Sequence, residues 1–307
     1  MDFAALSQKM IILFFCILTG FVCAKAGVMD TDTNKKLSTL IVKLTNPMQI
    51  LASVLAGERL LSNGEVFALT GVGFCCYAVL IALSFLVPKL LHVPQKQSGL
   101  YRFMFIFSNV AFIGYPIVES LLGKSAVFYV SLFVLFFHMF CWSYGVSLIE
   151  GKGKFCFSRR IFREPCVLAS LFAYAFYLTG WQAPAIFATA ADYIGALTSP
   201  IAMLIIGCSL AQMRFSAIFG NWRIYVLSIL KLVVVPVLAF FALRPILKNE
   251  LMLCVTTVVL CMPVATNTTI ISYQYGADEE LASTGVFLST LLCMVTIPLL
   301  MKLLFGA

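Results

Sequence analysis

The chain has 307 residues, 62% of them hydrophobic and 11% charged, with a formal net charge of +8. An ordinary soluble domain carries about a quarter charged residues, so this composition cannot cover a water-facing surface and defines an integral membrane protein. A mean hydropathy of +1.01 with no long polar stretch excludes an appended soluble catalytic domain or nucleic-acid-binding module.

About 20 apolar residues cross the hydrocarbon core as a helix, and ten runs bounded by charge or turn clusters meet that pattern. They are Leu6 to Ala26, Leu37 to Gly57, Val66 to Pro88, Phe103 to Leu122, Ala126 to Leu148, Cys166 to Gly180, Ala188 to Met213, Ile224 to Leu243, Leu251 to Tyr275 and Leu281 to Phe305. The first run, with Lys9 before it and Ala24-Lys25-Ala26 at its end, imitates a signal peptide. A counterpart later in the chain argues that it is retained as a span.

That counterpart belongs to an internal repeat. Leu18-Thr19-Gly20 recurs as Leu178-Thr179-Gly180, Leu44-Thr45-Asn46-Pro47 as Leu197-Thr198-Ser199-Pro200, and Pro116 inside span four answers Pro263 inside span nine. Five spans per half is an odd number, so the second half enters the membrane from the opposite side. The expected fold is therefore all-α and integral to the membrane, with ten transmembrane helices in two inverted five-helix repeats. Residues 1–150 form the first repeat, 151–165 a short basic loop and 166–307 the second repeat. Proline-broken helices at matching positions of inverted repeats point to a secondary transporter with its site near the midplane.

Six lysines and arginines fall on the side of both termini: Lys9, Arg59, Lys124, Arg244, Lys248 and Lys302. Thirteen fall opposite, and Lys43 and Lys231 lie inside spans. Positive-inside logic puts both termini outside the cytoplasm and the Gly151 to Arg163 loop within it. The basic charge is then topology, and no nucleic-acid partner is expected. Most of the eleven cysteines sit in apolar runs without a C-x-x-C pair and read as small hydrophobes.

Two constellations carry chemistry. Span four reads Ser108-Asn109-Val110-Ala111-Phe112-Ile113-Gly114-Tyr115-Pro116, and span nine reads Met262-Pro263-Val264-Ala265-Thr266-Asn267-Thr268-Thr269. A proline removes one amide hydrogen and blocks the carbonyl one turn back, so backbone groups are freed at membrane depth and need an ion, a substrate or a crossing helix as partner. Four successive polar side chains after Pro263 are expensive in lipid and must face protein or water. The expected substrate contacts are Asn46, Asn109, Tyr115, Pro116, Pro263, Thr266, Asn267 and Thr268. Glu119, one turn after Pro116, reads either as a proton acceptor or as an interfacial carboxyl. Lys231, five residues before Pro236, reads as a substrate counter-charge or a partner of Asp192 or Glu119.

The Ser108-Asn109 to Gly114-Tyr115-Pro116 block, the Gly123-Lys124-Ser125 turn, and Met262-Pro263 through Tyr275-Gly276-Ala277-Asp278 to Leu288-Ser289-Thr290 resemble the auxin efflux carrier family. Its plant members are the PIN auxin transporters, and the likeness runs through the whole chain. The resemblance implies the bile-acid sodium symporter (NhaA-like) fold, with helices four and nine crossing at their prolines. It also implies elevator-type alternating access, organic anion substrates and a homodimer. It places Asn109 on the asparagine that contacts the substrate carboxylate. In span five the family often has an asparagine seven residues before a glycine, where this chain has His138 before Gly145. A histidine titrates near neutral pH and an asparagine does not, so Glu119 and His138 favour protons over sodium as the coupling ion, with Lys231 a third candidate. The long cytoplasmic domain of many plant members is absent, as in bacterial members associated with malate, malonate and related carboxylates. A bacterial inner membrane is the expected location.

No H-E-x-x-H, G-x-G-D or G-x-S-x-G motif occurs, which argues against an intramembrane enzyme. No metal or cofactor is expected. The alternatives are a ligand-binding sensor of the same fold, separated from a carrier by whether substrate accumulates in proteoliposomes, and a sodium-coupled organic anion symporter.

Overall fold

The computed structural model describes residues 3–55, 59–156, 159–181, 183–212 and 221–306. Gly57, Met213, Arg214 and both terminal residues, which entered the span and charge readings above, lie outside the described residues. So do the side chains of Lys9, Arg159 and Arg160.

The described chain is helical throughout, with no strand among the described residues. Among the described residues five helices are long and apolar enough to cross a membrane: Asn63–Leu90, Ala126–Ile149, Ala185–Ala211, Trp222–Leu243 and Glu279–Phe305. Ile11–Lys25, Val110–Leu122, Pro165–Thr179 and Glu250–Leu260 are apolar but shorter. The expected second span, Leu37 to Gly57, falls on a longer helical segment, Thr31–Leu40 joined through the Ile41–Thr45 π-helical turn to Asn46–Leu55. Polar caps set several helix starts. Asp30 accepts from the Thr33 amide at 2.7 Å, and the Thr33 side chain and amide together hold its carboxyl below the usual carboxylate range. Ser62 and Glu65 bond reciprocally as a capping box before the Asn63–Ser84 helix.

Pro47, Pro116 and Pro236 do not break their helices. Three of the four π-helical turns among the described residues, Ile41–Thr45, Val110–Gly114 and Leu230–Val234, are each followed at the second residue by a proline: Pro47, Pro116 and Pro236. In each, the residue four before the proline (Lys43, Phe112 or Leu232) is the centre of the turn. An α-helix would drive the proline ring into that residue's carbonyl. Widening the turn moves the carbonyl aside, and the helix continues.

The chain forms two compact units, each drawing on both halves of the sequence. The first comprises Met1–Thr70, Val110–Leu135 and Arg160–Met213. In it the Phe3–Lys25 and Thr198–Gln212 helices meet backbone to backbone: a Cβ at Gly20 would overlap the Leu204 carbonyl, and one at Gly207 that of Ile17. Small residues permit such an approach in lipid, where packing rather than water exclusion drives association. At one end the Tyr177 hydroxyl donates to the Leu61 carbonyl, the Tyr129 hydroxyl accepts from the Leu60 and Leu61 amides, and Arg59 donates to the Tyr177 carbonyl.

The second unit comprises Gly71–Asn109, Phe136–Arg159 and Arg214–Ala307. Its interior is aromatic: Phe107 stands 4.6 Å from Phe103 and 5.6 Å from Phe137 between ring centroids, with Gly145 leaving room for both Phe103 and Phe107. The Arg102 guanidinium lies 3.7 Å from the Phe85 ring centroid and donates to the Ser84 and Tyr144 hydroxyls.

Candidate functional site

Within the second unit two helices stop in mid-sequence and meet. The Ser98–Ile106 helix ends at Phe107, whose backbone is extended, and the Glu250–Leu260 helix ends before Met262 and Pro263. Ser108 and Val264 then pair as an isolated antiparallel bridge. The Asn109 amide donates to the Pro263 carbonyl at 2.8 Å, and the Ala265 amide donates to the Phe107 carbonyl at 3.1 Å. Backbone groups freed by each interruption are thus satisfied by the other, as their burial requires. The Ser289 hydroxyl accepts from the Val264 amide at 3.0 Å and donates to the Gly285 carbonyl at 2.7 Å, fixing the crossing to the Glu279–Phe305 helix.

The crossing differs from the expected one in a specific way. It lies at Ser108 and Val264, and Pro116 is a full eight residues further on, at the start of the Tyr115–Leu122 helix. The proline on that segment is accommodated by its π-helical turn, so it does not mark the break. On the other segment Pro263 does.

The expected contacts Asn109, Pro263, Thr266, Asn267 and Thr268 come together here. Asn109 is 3% exposed, Thr266 and Asn267 are half-buried, and Thr268 is buried with its hydroxyl donating to the Ala265 carbonyl at 2.6 Å. Thr266 stands at the N-cap of Asn267–Gln274 without a side-chain cap bond, and the Thr268 amide donates to the Ala265 carbonyl at 3.0 Å, so the positive end of this helix begins directly after the crossing. Lys231 is also in this unit: its Nζ donates to the Phe105 carbonyl at 2.8 Å. Neither Asp192 nor Glu119 is its partner. His138 is buried on the Ala126–Phe140 helix, edge-on to Phe137 at 5.3 Å, and its Nδ1 has no partner among the described residues.

Asn46, Tyr115, Pro116 and Glu119 lie in the first unit. Asn46 is completely buried, and neither of its amide atoms has a partner among the described residues. The hydroxyls of its neighbour Thr45 and of Thr198, its repeat counterpart, are likewise buried and unpartnered, as is that of Tyr115. Glu119 Oε2 accepts from Gln49 Nε2 and from Ser199 Oγ, both at 2.8 Å. Lys124 and Asp192 form an ion pair at 2.7 Å. Gln49, Ser53, Glu119, Lys124, Ser125 and Asp192 are among the residues lining a cavity of about 260 Å³. Sequence reasoning passed over Gln49 and Ser199, although both sit in or beside the repeated Asn46-Pro47 and Ser199-Pro200 motifs. The repeat was the available signal.

The family model described as membrane transport protein matches residues 5–156 and 154–301. A protein of Rhizobium meliloti (strain 1021) named "Putative malonate transporter" is 24% identical over 303 residues, covering 95% of this chain and 93% of that one. An "Uncharacterized transporter" of Methanothermobacter thermautotrophicus (strain ATCC 29096 / DSM 1053 / JCM 10044 / NBRC 100330 / Delta H) is 22% identical over 309 residues, covering 97% and 98%.

Proposed function

The chain belongs to the membrane transport protein family, the auxin efflux carrier family, and from that premise we propose that it carries small carboxylates of the malonate and malate type across the cytoplasmic membrane. It is a transporter and not an enzyme. The observation that carries the substrate reading is the crossing of two interrupted helices, with the amide-rich start of Asn267–Gln274 and the Asn109 side chain beside it. Helix N-termini and side-chain amides compensate a carboxylate without a full positive charge, and interrupted helices place them at substrate depth.

In this reading Asn109, Thr266, Asn267 and Thr268 contact substrate in the second unit, with Pro263 shaping the loop. Asn46 and Tyr115 are proposed contacts of the first unit, and Pro116 shapes the segment that bears Tyr115. The unpartnered polar atoms of Asn46 and Tyr115 support their assignment, because a buried polar group without a partner is costly and marks a place where a ligand belongs. Ten crossings in two inverted repeats, elevator-type alternating access, a homodimer, and termini outside the cytoplasm complete the proposal. Glu119 and His138 are the proposed proton-coupling groups.

Uptake of labelled malonate into proteoliposomes is the test. Accumulation that saturates and shows counterflow is expected, and binding without accumulation would identify a sensor instead. Asn109→Ala should weaken malonate binding by about 1–3 kcal/mol, the cost of losing a buried hydrogen bond to a charged group. Unchanged affinity in that variant removes Asn109 from the site.

A further inference from the structure

Lys231 is the second residue of the Leu230–Val234 π-helical turn, inside the Trp222–Leu243 membrane helix, and is 2% exposed. None of the three ion pairs among the described residues includes it. Its Nζ donates instead to the Phe105 carbonyl at 2.8 Å. Phe105 is the penultimate residue of the Ser98–Ile106 helix, which stops at the crossing, and the next carbonyl but one, that of Phe107, takes the Ala265 amide. The Lys231 amino group therefore sits at the carbonyl end of the Ser98–Ile106 helix, three residues from the bridged Ser108.

A half-helix that ends at membrane depth leaves carbonyl oxygens without donors and a partial negative charge. In carriers built from interrupted helices, such ends and unwound carbonyls coordinate the coupling cation. Here a tethered ammonium already occupies the position. We propose that Lys231 is the resident cation of the crossing: it takes the place at the end of Ser98–Ile106 that a sodium ion would otherwise fill, so carboxylate binding does not require sodium. Being covalently attached, this charge cannot dissociate into either compartment, and no sodium accompanies the substrate through this position. The part about carboxylate binding rests on the crossing being the substrate site, whereas the occupancy of the helix end stands without it.

The experiment compares purified full-length protein in sodium chloride and in choline chloride at equal ionic strength, with methylammonium chloride as a second cation probe. The wild type should melt at the same temperature in sodium and choline. Lys231→Ser should melt lower in choline and recover with sodium or methylammonium, whereas Lys231→Met, which fills the space with an apolar chain, should not recover. Malonate affinity of Lys231→Ser should fall roughly tenfold in choline and return toward the wild-type value with either small cation. A wild type stabilised by sodium, or a serine variant as stable as wild type in choline, or one indifferent to both cations, overturns the proposal. Should Lys231→Ser give no folded protein, the pair Lys231→Arg and Lys231→Gln decides: the arginine variant is expected to be stable without sodium and the glutamine variant to be stabilised by it, and equal behaviour of the two overturns the inference. If malonate fails to bind even the wild type, the substrate reading fails while the melting comparison still decides the role of Lys231.

Discussion

A single carboxylate oxygen, Glu119 Oε2, receives two donors whose residues lie 70 and 80 positions away in sequence. Glu119→Ala strands the Gln49 amide and the Ser199 hydroxyl, and should lower stability by about 1–3 kcal/mol in a denaturant titration. Glu119→Gln keeps an acceptor oxygen and should cost less, while removing the exchangeable proton. Combined with His138→Asn, it should flatten the pH dependence of malonate uptake driven by an imposed pH gradient. Uptake that keeps its pH dependence in the double variant would leave passive anion movement as the mechanism. Glu119 was legible as a carboxyl one turn past Pro116, and Lys231 as a charge inside a span. Their partners were not, because one set is remote in sequence and the other is a backbone carbonyl with no side-chain signature.

The helices were legible as apolar runs and the interruption at Pro263 with them, but the one expected at Pro116 was misplaced, for a reason that the π-helical turns make plain. A proline is visible in sequence, whereas an extra residue in the turn before it is not, and that residue absorbs the distortion at Pro47, Pro116 and Pro236. The break at Phe107 to Asn109 carries no proline, only the polar pair Ser108-Asn109. Deleting exposed Leu44 from the Ile41–Thr45 turn should convert it to an α-turn and bring Pro47 against a helical carbonyl, costing about 3 kcal/mol. The same deletion combined with Pro47→Ala should recover most of that loss in a thermal melt; equal stability of the two variants refutes the compensation. At the contact of Phe3–Lys25 with Thr198–Gln212, Gly207→Ala puts a methyl group into the Ile17 carbonyl. The helices must separate, with an expected loss of about 1–3 kcal/mol, and an unchanged melting temperature would mean that the contact is looser than described.

At the scale of the whole molecule, composition alone assigned the membrane, and the orientation rests on charge counting. Cys156 offers a direct check, since it is exposed in the basic loop and free, whereas Cys141, Cys166, Cys208, Cys254, Cys261 and Cys293 are free but buried. A membrane-impermeant maleimide should label Cys156 in inside-out vesicles and not in intact spheroplasts, and the opposite pattern reverses the topology. The division into two compact units was not legible as such. Each unit gathers segments separated by long stretches of chain, and a sequence read for spans and repeats shows where helices begin and end but not which of them pack together.

The bridge between Ser108 and Val264 joins positions 156 residues apart, and this separation governs when it can form. At ribosomal rates of about 5–20 residues per second, the first interrupted helix waits roughly 8–30 s for its partner to be synthesised. Throughout that interval the Asn109 amide and the Phe107 carbonyl must be satisfied by water or by the insertion machinery. The nascent first half therefore cannot settle fully into lipid, and completion of the crossing is a late, committing step of assembly that any truncation before Val264 prevents.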